Sequence, residues 1–327
     1  MRFKFSSESM LRRQKMSDRP LIIGTRGSLL ATTQTRIISS SLETLAGYKI
    51  SEKIIRTEGD DVTTSLTKPS RPGVFVTALR SALLRGEVDV IVHSFKDLPS
   101  LPEKEIEIAA VPKREDFRDA LISRENLFLM DLPVGARVGT SSPRRSARIL
   151  HVRPDLLVLP MRGNVDSRLR KVQEGEYDAA VLAVAGLNRV GHADKITEFF
   201  TTDLLLPAPA QGALAVECRG DDAELVATLA LLNDPLTRFV TTAERAVLVG
   251  IGATCATAIG ALGEFKDGTL TLTAELSAPD ADEHERASMV RNHLSIEDLG
   301  DAHELGLALA AEILKTPLGS RLGSTRG

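Results

Sequence analysis

Apolar runs of strand length alternate along this chain with longer stretches in which apolar residues recur every three to four positions. Leu21–Gly24, Ile50–Arg56 and Val88–Val92 read as strands, with one helix opening near Ser28 and another running from about Val74 to Leu84. This βαβαβ order predicts a mostly parallel sheet covered by helices. The pattern restarts after Pro112. Asp119–Ile122, Val138–Thr140, Leu156–Met161 and Ala179–Val184 read as strands, and Ser142–Leu150 and Val165–Glu174 as helices, giving a second α/β domain. Leu206–Ala210, with Pro207 and Pro209, reads as a crossover into a strand from Gly212 to Cys218. The chain then reads as helical from about Leu225 to Val249, turns through a Gly-rich loop and alternates apolar and polar residues over Leu270–Leu276. A closing helix is expected from Ser295 to about Leu314, with Ser295 and Asp298 as its capping pair. That last third is an α+β unit. Residues 57–73, with Gly59, Pro69, Pro72 and Gly73, form a long loop of the kind that is usually functional.

The length of 327 residues leaves room for two or three cores. A hydrophobic fraction of 43% and a charged fraction of 26% place the chain among folded globular proteins rather than disordered ones. Cys218 and Cys255 are the only cysteines, which excludes a disulfide framework and a four-cysteine zinc site and points to a reducing, cytoplasmic setting. No metal site is expected, because the 6 histidines are scattered and neither His-Glu-x-x-His nor Cys-x-x-Cys occurs. Residues 1–19 carry Arg2, Lys4, Arg12, Arg13 and Lys15 without a signal-length apolar run, and read as a disordered extension. No membrane is expected either, since no apolar run approaches the roughly 18–20 residues that spanning one requires.

Charge changes the picture more than composition does. The formal net charge is −3, yet Arg137 to Lys171 holds nine basic residues against Asp155 and Asp166. The acidic total, the absence of Trp and an aromatic content of 4% argue against nucleic acid as the partner of this stripe. Arg144 and Arg145 follow Gly139-Thr140-Ser141-Ser142-Pro143, at a strand end opening into a helix, where free N–H groups and the helix dipole favour anions. Arg162 before Gly163-Asn164, and Arg26 before Gly27-Ser28, occupy equivalent turns. Such turns line the ligand crevice of open α/β sheets, and converging guanidinium groups suit carboxylates. No Walker motif is present, and Gly250-x-Gly252-x-x-Cys255 is a poor dinucleotide fingerprint. Val92-His93-Ser94-Phe95-Lys96-Asp97-Leu98-Pro99 carries a strand into a polar turn. Asp97 there is either a turn-capping residue or an anion that stabilises a developing cation beside an anionic substrate. Cys218 reads as strand packing, and Cys255 as an accessible loop thiol.

Eight segments, in order, closely resemble the porphobilinogen deaminase (hydroxymethylbilane synthase) family over about residues 20–315. They are Ile23-Gly24-Thr25-Arg26-Gly27-Ser28 with Gln34; Val92 to Pro99; Arg114-Glu115-Asp116-Phe117-Arg118-Asp119-Ala120; Gly139 to Arg145; Leu156 through Arg162-Gly163-Asn164-Val165-Asp166-Ser167-Arg168-Leu169; Tyr177 through Leu187; Gln211-Gly212-Ala213 through Arg219; and Thr242-Ala243-Glu244-Arg245. The resemblance implies a monomeric transferase that joins four porphobilinogen molecules head to tail into hydroxymethylbilane and releases ammonia. It implies a dipyrromethane cofactor attached by a thioether to Cys255, with Asp97 as catalytic carboxylate. Arg26, Ser28, Gln34, Arg162 and Arg168 would hold substrate, while Lys96, Ser141, Ser142, Arg144, Arg145 and Arg168 would hold cofactor. The implied fold is two α/β lobes like those of type II periplasmic binding proteins, plus a C-terminal α+β domain: 20–114 with 212–231, then 115–211, then 232–327. Segment 57–73 matches the family's mobile loop. The family's usual Gly-Gly-Cys-x-x-Pro-Ile-Gly is here Ala253-Thr254-Cys255-Ala256-Thr257-Ala258-Ile259-Gly260, with the cysteine in register. The alternative reading is a non-catalytic two-lobed binding protein for a carboxylate-rich small molecule.

Overall fold

The structure, a computed structural model, describes residues 19–55, 74–254, 257–277, 290–296 and 302–324. Segment 57–73, Cys255 and residues 1–18 lie outside the described residues. Arg19, the last residue of the expected extension, is held by Asp89 through two bonds of 2.8 and 3.1 Å.

The first sheet joins β1 (Leu21–Thr25), β2 (Ile50–Ile54), β3 (Val90–Ser94), β4 (Ile106–Ala110) and the later β10 (Leu214–Arg219) in the order β2-β1-β3-β10-β4. The second joins β5 (Asp119–Ser123), β6 (Arg137–Gly139), β7 (Leu157–Leu159), β8 (Ala179–Ala183) and β9 (Glu198–Phe199) in the order β7-β6-β8-β5-β9. Each sheet is mixed, which corrects the expectation of a mostly parallel one. β1 runs parallel to β2 and β3, and β6 parallel to β7 and β8, but β10 is antiparallel to both its neighbours and so is β5. The reversal has a simple cause. β10 re-enters the first sheet after the chain has crossed to the second and returned, so it arrives from the opposite end.

Both faces of the central strands are buried, and period-two alternation sends neighbouring side chains to opposite cores. In β3, Val90 and Val92 pack with Ile38 and Leu42 of α1 (Leu29–Ala46), while Ile91 packs with Leu79 and Leu83 of α2 (Val74–Leu84). In the second lobe Val181 joins Ile149 of α3 (Pro143–Val152), and Ala180 and Leu182 join Val172 of α4 (Val165–Gln173). A short α5 (Val184–Arg189) follows β8, and α6 (Ala223–Leu229) covers β10.

The C-terminal unit is an antiparallel meander of β11 (Ala258–Lys266), β12 (Thr269–Ser277) and β13 (Val290–Ile296), packed on α7 (Pro235–Ile251) and α8 (Ala302–Leu314), with α9 (Pro317–Ser324) after them. Two sequence expectations fail here. The long helix from Leu225 breaks at Asn233-Asp234-Pro235, where Asp234 caps α7 through Thr237 N–H at 2.7 Å and Asn233 caps Val111 N–H instead. Ser295 does not cap a helix: it lies in β13 opposite Thr271, and α8 begins at Ala302.

Two strands of chain cross between the lobes, residues 111–118 and 200–213, and they touch at Gly212. Glu115 N–H donates to the Gly212 carbonyl at 3.2 Å, and Gly212 has φ +89°. A Cβ there would lie 2.4 Å from the Glu115 carbonyl oxygen. Gly212→Ala therefore faces both a left-handed backbone and a backbone clash, and is expected to cost roughly 3 kcal/mol. A thermal melt checks this, and an unchanged midpoint would mean the crossings separate without penalty.

Candidate active site

The site is assembled from turns at the carboxyl ends of parallel strands, where open α/β sheets bind ligands. In the first lobe, β1 delivers Arg26-Gly27-Ser28 and the adjacent β3 delivers Ser94 to Asp97, the last three residues of which form one 3-10 turn. In the second lobe, β6 delivers Thr140-Ser141-Ser142 and β7 delivers Met161 to Asn164. Several hydroxyls are spent on shaping these turns. Ser28 Oγ caps α1 by accepting from Ala31 N–H at 3.3 Å, and Ser142 Oγ caps α3 by accepting from Arg145 N–H at 3.4 Å. Ser141 staples the β6 turn to the β7 turn, donating to the Met161 carbonyl at 2.9 Å and accepting from Met161 N–H at 3.1 Å. Gln34, buried on α1, donates to Ser94 Oγ at 2.8 Å and so braces the end of β3 rather than facing the crevice openly.

Arg144 and Arg145 are more deeply placed than their sequence position suggests. Both are buried against Asp119, which has no solvent exposure: Arg144 Nη2 reaches its Oδ2 at 2.7 Å, and Arg145 Nη2 and Nε reach its Oδ1 at 2.6 and 3.1 Å. Arg144 Nη1 also donates to the Leu206 carbonyl, and Arg145 Nη1 to the Val181 carbonyl. Burial alone would raise the Asp119 carboxyl, but Arg144, Arg145, Lys96 and a hydrogen bond from Gln211 outweigh it and hold the group well below the usual carboxylate range. Three cationic side chains around one buried carboxylate leave a net positive wall behind the crevice. Burial also lowers Arg144.

Lys96 joins the lobes through Gln211. Its Nζ donates to Gln211 Oε1 at 3.2 Å, and Gln211 Nε2 donates to Asp119 Oδ1 at 2.9 Å and the Phe117 carbonyl at 2.8 Å. Burial and the neighbouring Arg145 lower the ammonium to about 8, with Asp97 and Asp119 pulling the other way. On the second lobe Arg168 donates Nε to the Gly163 carbonyl at 2.9 Å. Burial and Arg145 lower it while Asp97 raises it. Asp97 is thus within the electrostatic reach of Lys96 and Arg168 from opposite lobes. It is exposed and makes no hydrogen bond or ion pair with any described residue. Arg162 is exposed beside Gly163, and Arg26 is half-buried at the end of β1.

Four residues were not assigned roles by the sequence. Gln211 is fully buried at the lobe crossing. Arg189, at the end of α5, donates to the Gly212 carbonyl at 2.6 Å and is lowered to about 10 by burial. Arg114 and Glu244 form a buried bidentate pair at 2.6 and 3.0 Å, with Glu244 also accepting from Ala210 and Gly263 N–H. Gln211 and Glu244 stood inside matched segments, but nothing local in the sequence shows which distant groups they meet.

The donor set fits a cofactor rich in carboxylates. Lys96 keeps two donors beyond Gln211, Arg168 keeps its Nη groups, and the buried arginines each retain N–H groups beyond those given to Asp119 and the carbonyls. Thr254 and Thr257, on either side of the segment that holds Cys255, bond each other. Thr257 N–H donates to the Thr254 carbonyl at 3.0 Å, and Thr254 N–H donates to Thr257 Oγ1 at 3.0 Å.

Two mixed-sheet lobes bridged by crossing segments, with cationic side chains gathered around a carboxylate that bonds no described residue, define the class as a two-lobed α/β protein built for a carboxylate-rich ligand. Two family profiles match: "Porphobilinogen deaminase, dipyromethane cofactor binding domain" over residues 21–227, and "Porphobilinogen deaminase, C-terminal domain" over 239–315. The porphobilinogen deaminase of Nocardia farcinica is 47% identical over 311 residues, 92% of this chain and 87% of that one. That of Mycobacterium tuberculosis is 46% identical over 309 residues, 91% of this chain and 96% of that one. Among solved structures, an ABC transporter periplasmic substrate-binding protein from Coxiella burnetii aligns with a TM-score of 0.42 at 15% identity, over 67% of this chain and 94% of that chain. The chain belongs to the porphobilinogen deaminase family. It is accordingly a transferase of haem biosynthesis with a dipyrromethane-binding domain, and the non-catalytic alternative is not favoured.

Proposed function

We propose that this chain deaminates porphobilinogen and joins four units head to tail into hydroxymethylbilane, with Asp97 as its catalytic carboxylate. The carrying observation is that Asp97 is exposed, bonds no described residue and lies within electrostatic reach of Lys96 and Arg168, beside the buried arginines that hold Asp119. In each cycle the C–N bond of the substrate's protonated aminomethyl group breaks, and ammonia leaves with the bonding pair. The Asp97 carboxylate holds the resulting azafulvenium cation, and with the chain bound a carbon–carbon bond would form to its free α-carbon, whose proton would pass to solvent. A fixed anion facing a developing cation needs no reorganisation at the moment of reaction. Arg26, Ser28, Gln34, Arg162 and Arg168 bind or frame the substrate carboxylates. Lys96, Ser141, Ser142, Arg144, Arg145 and Arg168 do so for the cofactor, whose bound form supplies the free pyrrole position from which the chain grows. Cys255 carries that cofactor through a thioether.

The working unit is a cytoplasmic monomer of three domains, 20–114 with 212–231, 115–211 and 232–327. Support for the discontinuous first domain comes from β10, which pairs with β3 and β4 after the chain returns from the second sheet. Among the described residues no helix is long and apolar enough to cross a membrane.

Intact mass of the purified protein and of Cys255→Ser tests the reading. An added mass of two linked pyrroles that vanishes with the cysteine supports it. No adduct after incubation with porphobilinogen or preformed hydroxymethylbilane would overturn it. The lowered Lys96 adds a pH dependence: its ammonium is charged below about 8 and loses that charge above it. Loading of the cofactor-free protein by preformed hydroxymethylbilane should weaken on the order of 10-fold as pH passes upward through that value, the worth of one charge-assisted hydrogen bond. Lys96→Met should weaken loading at pH 7 and flatten the profile, and a profile equally steep in both proteins would assign the titration elsewhere.

A further inference from the structure

The turn that carries Asp97 is poorly held by its own residues. Phe95–Asp97 is a single 3-10 turn closed by one long bond, Leu98 N–H to the Phe95 carbonyl at 3.3 Å, and Ser94 at its start makes no side-chain cap. Outside the turn, Phe95 N–H donates to the Ala213 carbonyl at 3.0 Å. Lys96 Nζ donates to Gln211 Oε1 at 3.2 Å, and the carbonyls of the turn and of the two residues after it are held by one residue of the C-terminal unit. Arg245 on α7 donates Nη1 to the carbonyls of Phe95 and Leu98 at 3.0 and 3.3 Å and Nη2 to the carbonyl of Pro99, so its three acceptors bracket Asp97 on both sides in the chain. Its guanidinium also lies over the Phe95 ring, 4.5 Å from the centroid.

We propose that Arg245 is the positioning residue for Asp97: a C-terminal-unit helix sets where the reactive carboxylate stands. The proposal rests on Asp97 being the catalytic group and names what aims it. A planar fork with five fixed donors can hold three carbonyls of one turn and stack on its aromatic ring together, which a single ammonium cannot. Burial lowers Arg245 to about 10, so it remains charged at neutral pH, where its bonds to the carbonyls are charge-assisted. The neighbouring Glu244 pins Arg114 and the Ala210 crossover, so two consecutive residues of α7 fix both the lobe junction and the catalytic turn. α7 leads directly into the segment containing Cys255. Any shift of this helix along its axis moves the Asp97 turn with it.

The test compares wild type, Arg245→Met and Arg245→Lys, all loaded with cofactor, by kcat and KM for porphobilinogen together with thermal midpoints. Wild type is measured first: if it releases no ammonia, the functional reading itself fails and the variants are not needed to judge it. With an active wild type, Arg245→Met should lose at least about 10-fold in kcat, since misplacing a reacting group by about 1 Å can cost about 100-fold. KM should stay within about threefold, because Arg245 contacts no substrate-holding side chain. Arg245→Lys should recover most of the midpoint but not the kcat. A kcat within twofold of wild type in either variant, or a kcat that returns with the midpoint in the lysine variant, would overturn the proposal and leave Arg245 as a domain tie alone. If the methionine variant does not fold, the lysine variant decides by the same criteria.

Discussion

Asp97→Ala is expected to lower kcat by about 100-fold to 1,000-fold while leaving the fold and its thermal midpoint almost unchanged. The two halves of that expectation have one cause. Asp97 is exposed and bonded to no described residue, so its removal breaks no hydrogen bond or ion pair among them, and surface changes of that kind usually fall within about 0.5 kcal/mol. The same isolation makes it available to the substrate. Removing one preorganised group that faces developing charge commonly costs about 100-fold to 1,000-fold in kcat. Asp97 must serve every one of four successive condensations, whose times add, so the overall rate falls by the same factor as each step. Asp97→Asn is the sharper comparison, because it keeps the shape and removes only the charge. Ammonia release and coloured-product formation at saturating porphobilinogen measure the rate, and circular dichroism follows the fold. Turnover within tenfold of wild type in the asparagine variant would take Asp97 out of the mechanism.

The features that were legible in the sequence are those that local patterning controls. β3 is buried on both faces and reads as an unbroken apolar run; α2 has its expected limits of Val74 and Leu84; Ser28 and Ser142 cap helices where a strand-to-helix turn calls for a cap. The arginine-bearing turns were legible for the same reason, since they follow strand ends. What escaped depends on distant partners. β4 pairs only with β10, a strand more than a hundred residues further on, and its bulge at Val216/Glu217 blurs the alternation. β11 carries Gly260 and Gly263 within its run, and a Cβ at Gly260 would lie 2.8 Å from the Leu206 carbonyl oxygen, so its glycines answer to close packing rather than to a loop. β13 misled because Ser295 and Asp298 copy a helix cap while Val290, Leu294 and Ile296 follow a strand period. Within the site, the basic stripe announced an anion-binding crevice but not that Arg144 and Arg145 are spent largely on Asp119, read in the sequence only as the start of a strand. Gln211, Arg114 with Glu244, and Arg245 act across the lobe junction, which only the folded chain brings together.

Asp119→Asn is expected to be the most destabilising conservative substitution in the crevice. Asp119 is fully buried and bonded to Arg144, Arg145 and Gln211, so the variant leaves two buried guanidinium groups facing a neutral amide. Removing one partner of a buried ionic cluster costs about 3–5 kcal/mol, far more than the cluster adds over an apolar replacement, because the remaining charges stay desolvated. The pH dependence has a definite sign. The folded carboxyl is held below its ordinary value, so its contribution is complete above the unfolded pKa of about 4 and is lost progressively as pH falls below it. Wild type should therefore lose stability between pH 5 and 2 through this group, while Asp119→Asn, already lacking the charge, should show a shallower acid limb. Urea melts at pH 7 and pH 3 read both effects. A second-lobe probe is preferable to a whole-chain midpoint, since separate cores need not unfold as one transition. Equal stability of the two proteins at pH 7 would mean that carbonyl contacts and solvent satisfy Arg144 and Arg145 without the carboxylate. The positive wall of the crevice would then have to be held in place by the backbone alone.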